Sequence, residues 1–297
     1  MMKKKRDTRP FIQAAAAILT NGYLLGFIKG KIYTGNLKLV CVPGLNCYSC
    51  PGAAGACPIG AMQAVLGGRK HNFSFYVLGI LMLFGMVLGR FVCGFLCPFG
   101  FVQDLLHKIK TPKARVPRRL DRPLRLTKYA VLLVAVIALP VFLTNAFGMA
   151  DPYFCKWICP AGTLEGGIPL MLMNEELRKA IGFLFQWKLG ILLAVILSSV
   201  FIYRPFCKYL CPLGAFYGLF NRFSLYQMAL DRHKCTGCKA CERACDMQVA
   251  ILKNINSTEC IRCGKCAHAC SVGAIQTRFG LRNAGEAGRP AGESKTT

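Results

Sequence analysis

Arg90-Phe-Val-Cys93-Gly-Phe-Leu-Cys97-Pro98-Phe-Gly100 recurs further along the chain as Arg204-Pro-Phe-Cys207-Lys-Tyr-Leu-Cys211-Pro212-Leu-Gly214. Each copy closes an apolar run, Phe73–Leu88 for the first and Leu184–Tyr203 for the second. Two more Cys-Pro-x-Gly signals stand earlier, one in each half, at Cys57-Pro58-Ile59-Gly60 and Cys159-Pro160-Ala161-Gly162. Cys155 precedes Cys159 at the same spacing as Cys93 precedes Cys97, but the matching place before Cys57 holds Ala53. Cys50 or Cys47 must then supply the missing thiol, with Cys50 preferred; Cys41 takes no assigned role. Proline suits the first turn of a helix because it lacks the N–H that would go unbonded there. A cysteine just before it sits at the positive end of the helix dipole, which lowers a thiol pKa and favours an anionic centre.

Four runs are apolar enough to cross a bilayer: Phe11–Ile28, Phe73–Leu88, Tyr129–Phe147 and Leu184–Tyr203. Each is near the roughly 17–25 residues that span a hydrocarbon core. The 297 residues are 54% hydrophobic and carry a formal charge of +25. Such basicity raises nucleic acid as a partner, but the lysines and arginines cluster between the apolar runs, as membrane topology requires. Membrane lipid is therefore expected as a partner and nucleic acid is not. The Met-Met-Lys-Lys-Lys-Arg start resembles the basic region of a signal peptide, yet no small-x-small cleavage site follows, so an uncleaved anchor is expected. Lys3–Arg9 and the loop from Arg90 to Lys128 share one side under four crossings, and the positive-inside rule makes that side cytoplasmic. Cys93, Cys97, Cys207 and Cys211 then meet on the cytoplasmic face, with Cys155, Cys159, Cys57 and Cys50 or Cys47 opposite. Each foursome suffices for one cubane.

The C-terminal part carries Cys235-x2-Cys238-x2-Cys241-x3-Cys245 and Cys260-x2-Cys263-x2-Cys266-x3-Cys270. Three cysteines of such a run wrap one [4Fe–4S] cubane and the fourth reaches the other. Cys235, Cys238, Cys241 and Cys270 are expected to hold one cluster, and Cys260, Cys263, Cys266 and Cys245 the second. The customary proline after each fourth cysteine is replaced by Asp246 and Ser271. A structural zinc site, the plainer alternative, uses pairs of cysteines rather than runs of four. Lys234, Lys239, Arg243, Lys253, Arg262 and Lys265 could offset cluster charge or dock an acidic partner; an ordinary solvated surface explains them equally well.

These motifs resemble the membrane polyferredoxins of the NapH type and the iron–sulfur half of NosR, over about Phe11 to Thr277. The resemblance implies electron transfer between the quinol pool or a flavoprotein and a partner redox enzyme. No Ser/Thr-Gly-Ala-Thr attachment motif occurs, so a flavin would come from another subunit. The expected architecture is mainly α: a four-transmembrane-helix bundle built from two internal repeats (1–230), a small α+β two-cluster ferredoxin domain (231–278) and a disordered tail (279–297). The expected place is the cell inner (cytoplasmic) membrane, multi-pass, with the ferredoxin domain in the cytoplasm.

Three functions compete. The first is a relay through [4Fe–4S] clusters, two in the ferredoxin domain and two in the membrane domain, linking redox partner proteins across the membrane. The second is a quinol-oxidising subunit, with Asp104 and His107 on one helical face binding quinone; an ordinary interfacial polar pair is the plainer reading of those two. The third is a redox-sensing regulatory or assembly protein. Glu165 stands to the other cysteine set as Asp104 does to the first, and Trp157 and Trp187 suit interface anchoring. Buried free cysteines, or a disulfide from Cys155 to Cys41, Cys47 or Cys50, are the alternatives to membrane clusters.

Overall fold

The computed structural model describes residues 8–68, 74–143, 150–179 and 181–280. The chain is mainly helical. Arg9–Thr20 (α1) and Leu24–Lys29 (α2) lead into a cysteine-rich loop, which a parallel bridge between Cys41 and Ala56 closes. Pro58–Gly67 (α3), Tyr76–Leu88 (α4), Phe91–Phe95 (α5) and Pro98–His107 (α6) complete the first half. The long helix Arg118–Phe142 (α7) carries the chain to Tyr153–Trp157 (α8). Residues 160–173 (α9), Glu175–Lys179 (α10), Phe183–Phe201 (α11), Pro205–Tyr209 (α12) and Pro212–Phe220 (α13) follow.

Only α7 and α11, among the described residues, are long and apolar enough to cross a membrane alone. Leu133 and Val134 on α7, and Phe183, Leu193 and Leu197 on α11, point outward and exposed, a surface suited to lipid tails. The other two expected spans are shorter than their apolar runs. α1 ends after 12 residues at Asn21-Gly22. α4 has 13 residues, about 20 Å of helix at 1.5 Å per residue, and stops at Gly89, whose φ of 52° cannot extend a helix. Position 73, where that run was expected to begin, lies outside the described residues. Both α7 and α9 widen to a π-type turn, Leu132–Ala138 and Gly162–Gly167, just ahead of Pro140 and Pro169. A proline inside a helix removes one backbone donor and crowds the preceding turn, and the wider turn absorbs this.

The packing is crossed between halves. α6 of the first half lies against α11 of the second, while α13 of the second lies against α4 of the first and against α7. The ferredoxin segment follows, with short helices Ala240–Arg243 (α14) and Lys265–His268 (α15). Its two-stranded antiparallel sheet joins Tyr226–Leu230 (β1) to Ile275–Phe279 (β2), with Met228 opposite Thr277. The sheet thus draws its first strand from ahead of the expected boundary at 231. Positions 281–297, most of the expected disordered tail, lie outside the described residues.

Candidate metal centres

Cys97 and Cys211 cap α6 and α13, and each sulfur accepts the amide N–H three residues on, from Gly100 and Gly214, at 3.4 Å. Cys93 and Cys207 lie in α5 and α12. All four are buried, and their thiols stand within one another's electrostatic field. The arginine that opens each motif serves the opposite half. Arg204 donates to the Cys93 carbonyl at 2.5 Å, and Arg90 to the Cys207 carbonyl at 3.1 Å. The Gln103 amide donates to the Cys207 sulfur at 3.1 Å.

The second gathering consists of Cys47, Cys57, Cys155 and Cys159, whose thiols likewise share one field. Gln63, six residues after Cys57 as Gln103 is after Cys97, donates to the Cys155 sulfur at 3.3 Å. The Cys47 sulfur faces Gly162, 3.8 Å from where a Cβ would stand there. Its backbone N–H donates to the Glu165 carboxylate at 2.7 Å. Cys50, preferred on sequence, lies beside Cys47 and Lys38 instead. The position six after each Cys-Pro cysteine therefore carries Gln63, Gln103, Glu165 and Tyr217, a signal present in the repeat alignment and missed because the four residue types differ.

The two gatherings do not sit at opposite rims. The Leu45 amide stands near the Cys97 sulfur, and the next amide, Asn46, near the Cys57 sulfur. The separation is set by adjacent residues, far below the roughly 30 Å of a hydrocarbon core. Counting crossings cannot reveal this, because the loop from Cys41 to Cys57 folds inward after leaving α2.

In the C-terminal segment Cys245, Cys260, Cys263 and Cys266 come together around an apolar pocket walled by Met228, Met247, Val249, Ile251 and Ile255. That is the crossed set expected from the spacing. Cys235 and Cys241 of the other set lie in mutual reach, while Cys238 is exposed and the Cys270 sulfur accepts the Ala274 amide at 3.3 Å. The two runs fold alike, because left-handed backbone recurs at matching places: Gly237 and Arg262, Lys239 and Gly264, Gln248 and Gly273. Such turns curl successive N–H groups toward one concave side, as an anionic cluster requires.

All eighteen cysteines are free thiols. Among the described residues no three His, Cys, Asp or Glu side chains converge tightly enough for a single metal ion; four thiolates are the donor set of a cubane. The expected thiol activation at helix ends is reversed in sum. Burial raises Cys47 and Cys155 to about 12, with neighbouring charges adding to it, and this outweighs the opposing amide and side-chain hydrogen bonds. Cys260 rises to about 11 and Cys266 to about 12, also through burial first. These thiols are protonated near neutrality until a metal displaces the protons.

Two buried charge networks clamp the ferredoxin segment and α1 to the core. Glu259 accepts from Arg90 at 3.0 Å and Lys128 at 2.5 Å. Arg262, one of the six basic residues given a cluster-offset, docking or solvated-surface role, is buried and donates to the Leu88 and Asn221 carbonyls and to Ser224 Oγ. Asp104, named on sequence as a candidate quinol residue, pairs with both Arg9 and Arg204. His107 meets the Ser199 carbonyl at 3.3 Å and the edge of Tyr203. Trp187 donates its indole N–H to the Trp157 carbonyl at 3.1 Å.

A sequence profile of the 4Fe-4S binding domain matches residues 55–76, 71–117, 129–168 and 184–230, and a second profile of the same description matches 253–276. The chain belongs to the membrane polyferredoxin family of 4Fe-4S binding proteins. An uncharacterized protein of Methanocaldococcus jannaschii is 30% identical over 203 residues, covering 66% of this chain and 67% of its own. The ferredoxin-type protein NapH of Haemophilus influenzae is 28% identical, covering 67% of each. The putative electron transport protein YccM of Escherichia coli is 24% identical, covering 70% of this chain and 56% of its own. No solved structure matches.

Proposed function

We propose that this chain is a membrane electron-transfer protein that relays electrons through [4Fe–4S] clusters between a cytoplasmic or quinol redox partner and a partner across the membrane. In this reading one cluster is held by Cys235, Cys238, Cys241 and Cys270, and a second by Cys245, Cys260, Cys263 and Cys266. Cys93, Cys97, Cys207 and Cys211 hold a third, and Cys47, Cys57, Cys155 and Cys159 a fourth, leaving Cys50 and Cys41 unligated. The four-helix bundle of two internal repeats belongs to the same reading, supported by the fourfold profile match and the crossed packing of α6 on α11 and α13 on α4.

The observation that carries the proposal is the continuity of the thiol sets. Gly94, beside Cys93, lies against the Ile261 carbonyl, beside Cys260, and the Leu45 and Asn46 amides join the two membrane sets. When bound, the clusters supply electron uptake and release, at potentials set by burial, charge and hydrogen bonds to sulfur. The protein's residues hold and insulate them. The exposed Cys238 end, beside Lys234, Lys239 and Arg243, is where a redox partner or a flavoprotein subunit would dock. A quinone site at Asp104 draws less support, since that carboxylate already joins two arginines.

Iron and sulfide analysis with EPR tests this reading. About sixteen irons per chain are expected for four cubanes, and Cys155→Ala should remove one cluster signal while the ferredoxin signals stay. A count of about eight, enough for two cubanes, would sink the membrane part.

A further inference from the structure

The segment Pro43–Asn46 touches both membrane thiol sets. Gly44 is pressed against the α6 cap, where an added Cβ would stand 2.9 Å from the Cys97 Cα and 3.0 Å from the Leu96 carbonyl oxygen. Only a residue without a side chain fits that approach. This closeness brings the Leu45 amide to the Cys97 sulfur and leaves the Asn46 amide at the Cys57 sulfur. Leu45 and Asn46 are 2% and 0% exposed, so water reaches neither amide. From the opposite half, the Tyr217 hydroxyl donates to the Pro43 carbonyl at 3.0 Å. Tyr217 is itself fully buried and lies within reach of Cys93 and Cys97 on one side and of Cys57 and Cys41 on the other.

We infer that Pro43–Asn46, held by Gly44 against Cys97 and by the Tyr217 hydroxyl at Pro43, is a shared hydrogen-bonding strap that sets the reduction potentials of the two membrane clusters together. The inference rests on the four-cluster reading above. Hydrogen bonds to cluster sulfurs stabilise the more negative, reduced state and raise the potential. Two successive amides of one short segment cannot move independently, so a displacement that weakens one bond weakens the other. Tyr217 and Gly44 are positioning residues, acting through the strap rather than on iron.

The test is an EPR-monitored redox titration of purified full-length Tyr217→Phe and Gly44→Ala proteins, with iron counted in parallel. Tyr217→Phe adds no atom to the core and removes only the Pro43 bond. Both variants should lower the potentials of both membrane clusters, by about fivefold in each reduction equilibrium, the weight of one ordinary hydrogen bond, while the ferredoxin clusters hold theirs. Loss of both membrane clusters with the ferredoxin pair retained would equally support a shared strap. Unchanged potentials, a shift or loss confined to one membrane cluster, or loss that extends to the ferredoxin pair would overturn it. A wild-type count of about eight irons, the content of two cubanes, would instead defeat the four-cluster reading itself, so the two failures are distinct.

Discussion

Gly94 and Ile261 meet backbone to backbone: a Cβ on Gly94 would stand 2.4 Å from the Ile261 carbonyl oxygen. Each residue neighbours a cysteine of a different set, so this contact fixes how close the ferredoxin segment approaches the membrane core. Arg90 and Arg262 hold the same joint, through Glu259 and the Leu88 carbonyl. Gly94→Ala must push the segments apart, and overpacking of this kind costs about 1–3 kcal/mol. A lower melting midpoint is expected, with slower reduction of the membrane clusters by a donor that reduces the ferredoxin pair. Wild-type values of both would show that the contact is slack.

A reciprocal pair of arginines ties each half to the other's cysteine motif. Arg204 reaches the Cys93 carbonyl and Arg90 the Cys207 carbonyl, each from the other half, and each is fully buried. Removing one partner of a buried ion pair costs about 3–5 kcal/mol, since it strands the remaining charge. Arg204→Gln strands Asp104 on Arg9 alone, and Arg90→Gln strands Glu259 on Lys128. Either change should abolish the EPR signal assigned to Cys93, Cys97, Cys207 and Cys211, and the double variant should be no worse for that signal. Survival of the signal in either single variant would show the carbonyl contacts to be dispensable.

What the sequence revealed is what repeats. The paired Cys-x3-Cys-Pro motifs gave the capped helices α6 and α13, and the spacing of the ferredoxin runs gave the crossed set that includes Cys245. What stayed hidden depends on long-range packing. The apolar run Phe11–Ile28 gives no warning that the helix stops at Thr20, because a break at Asn21-Gly22 is invisible to hydropathy. Arg262 reads equally as a cluster-offsetting charge or a solvated one until its partners at Leu88, Asn221 and Ser224 are known. Cys47 lies with Cys155 and Cys159 and Glu165 takes its amide, contacts between residues far apart in the chain.

Those contacts make a direct prediction. Cys47→Ala should lose about four irons per chain, one cubane, together with one membrane EPR signal. Cys50→Ala and Cys41→Ala should keep the full complement. Loss of iron in Cys50→Ala with retention in Cys47→Ala would return the ligand to the residue preferred on spacing alone.

Asp104 makes the fold's stability depend on pH at the acid end. Burial pushes its carboxyl pKa up, but Arg204 and Arg9, with hydrogen bonds from Arg204 and Gln13, outweigh that and hold it at about 2, against an ordinary 3.8. A depressed carboxyl stabilises the folded chain above its ordinary value and loses that contribution as pH falls toward the folded one. The window is therefore between about pH 4 and about pH 2, and the shift is worth roughly 2 kcal/mol. Thermal melts in detergent should show Asp104→Asn less stable than wild type at pH 6, with the gap narrowing through that window as the wild-type carboxylate takes up its proton. A gap that stays constant down to about pH 2 would mean that Asp104 contributes through packing, and that its pairing with Arg9 and Arg204 carries none of the pH dependence.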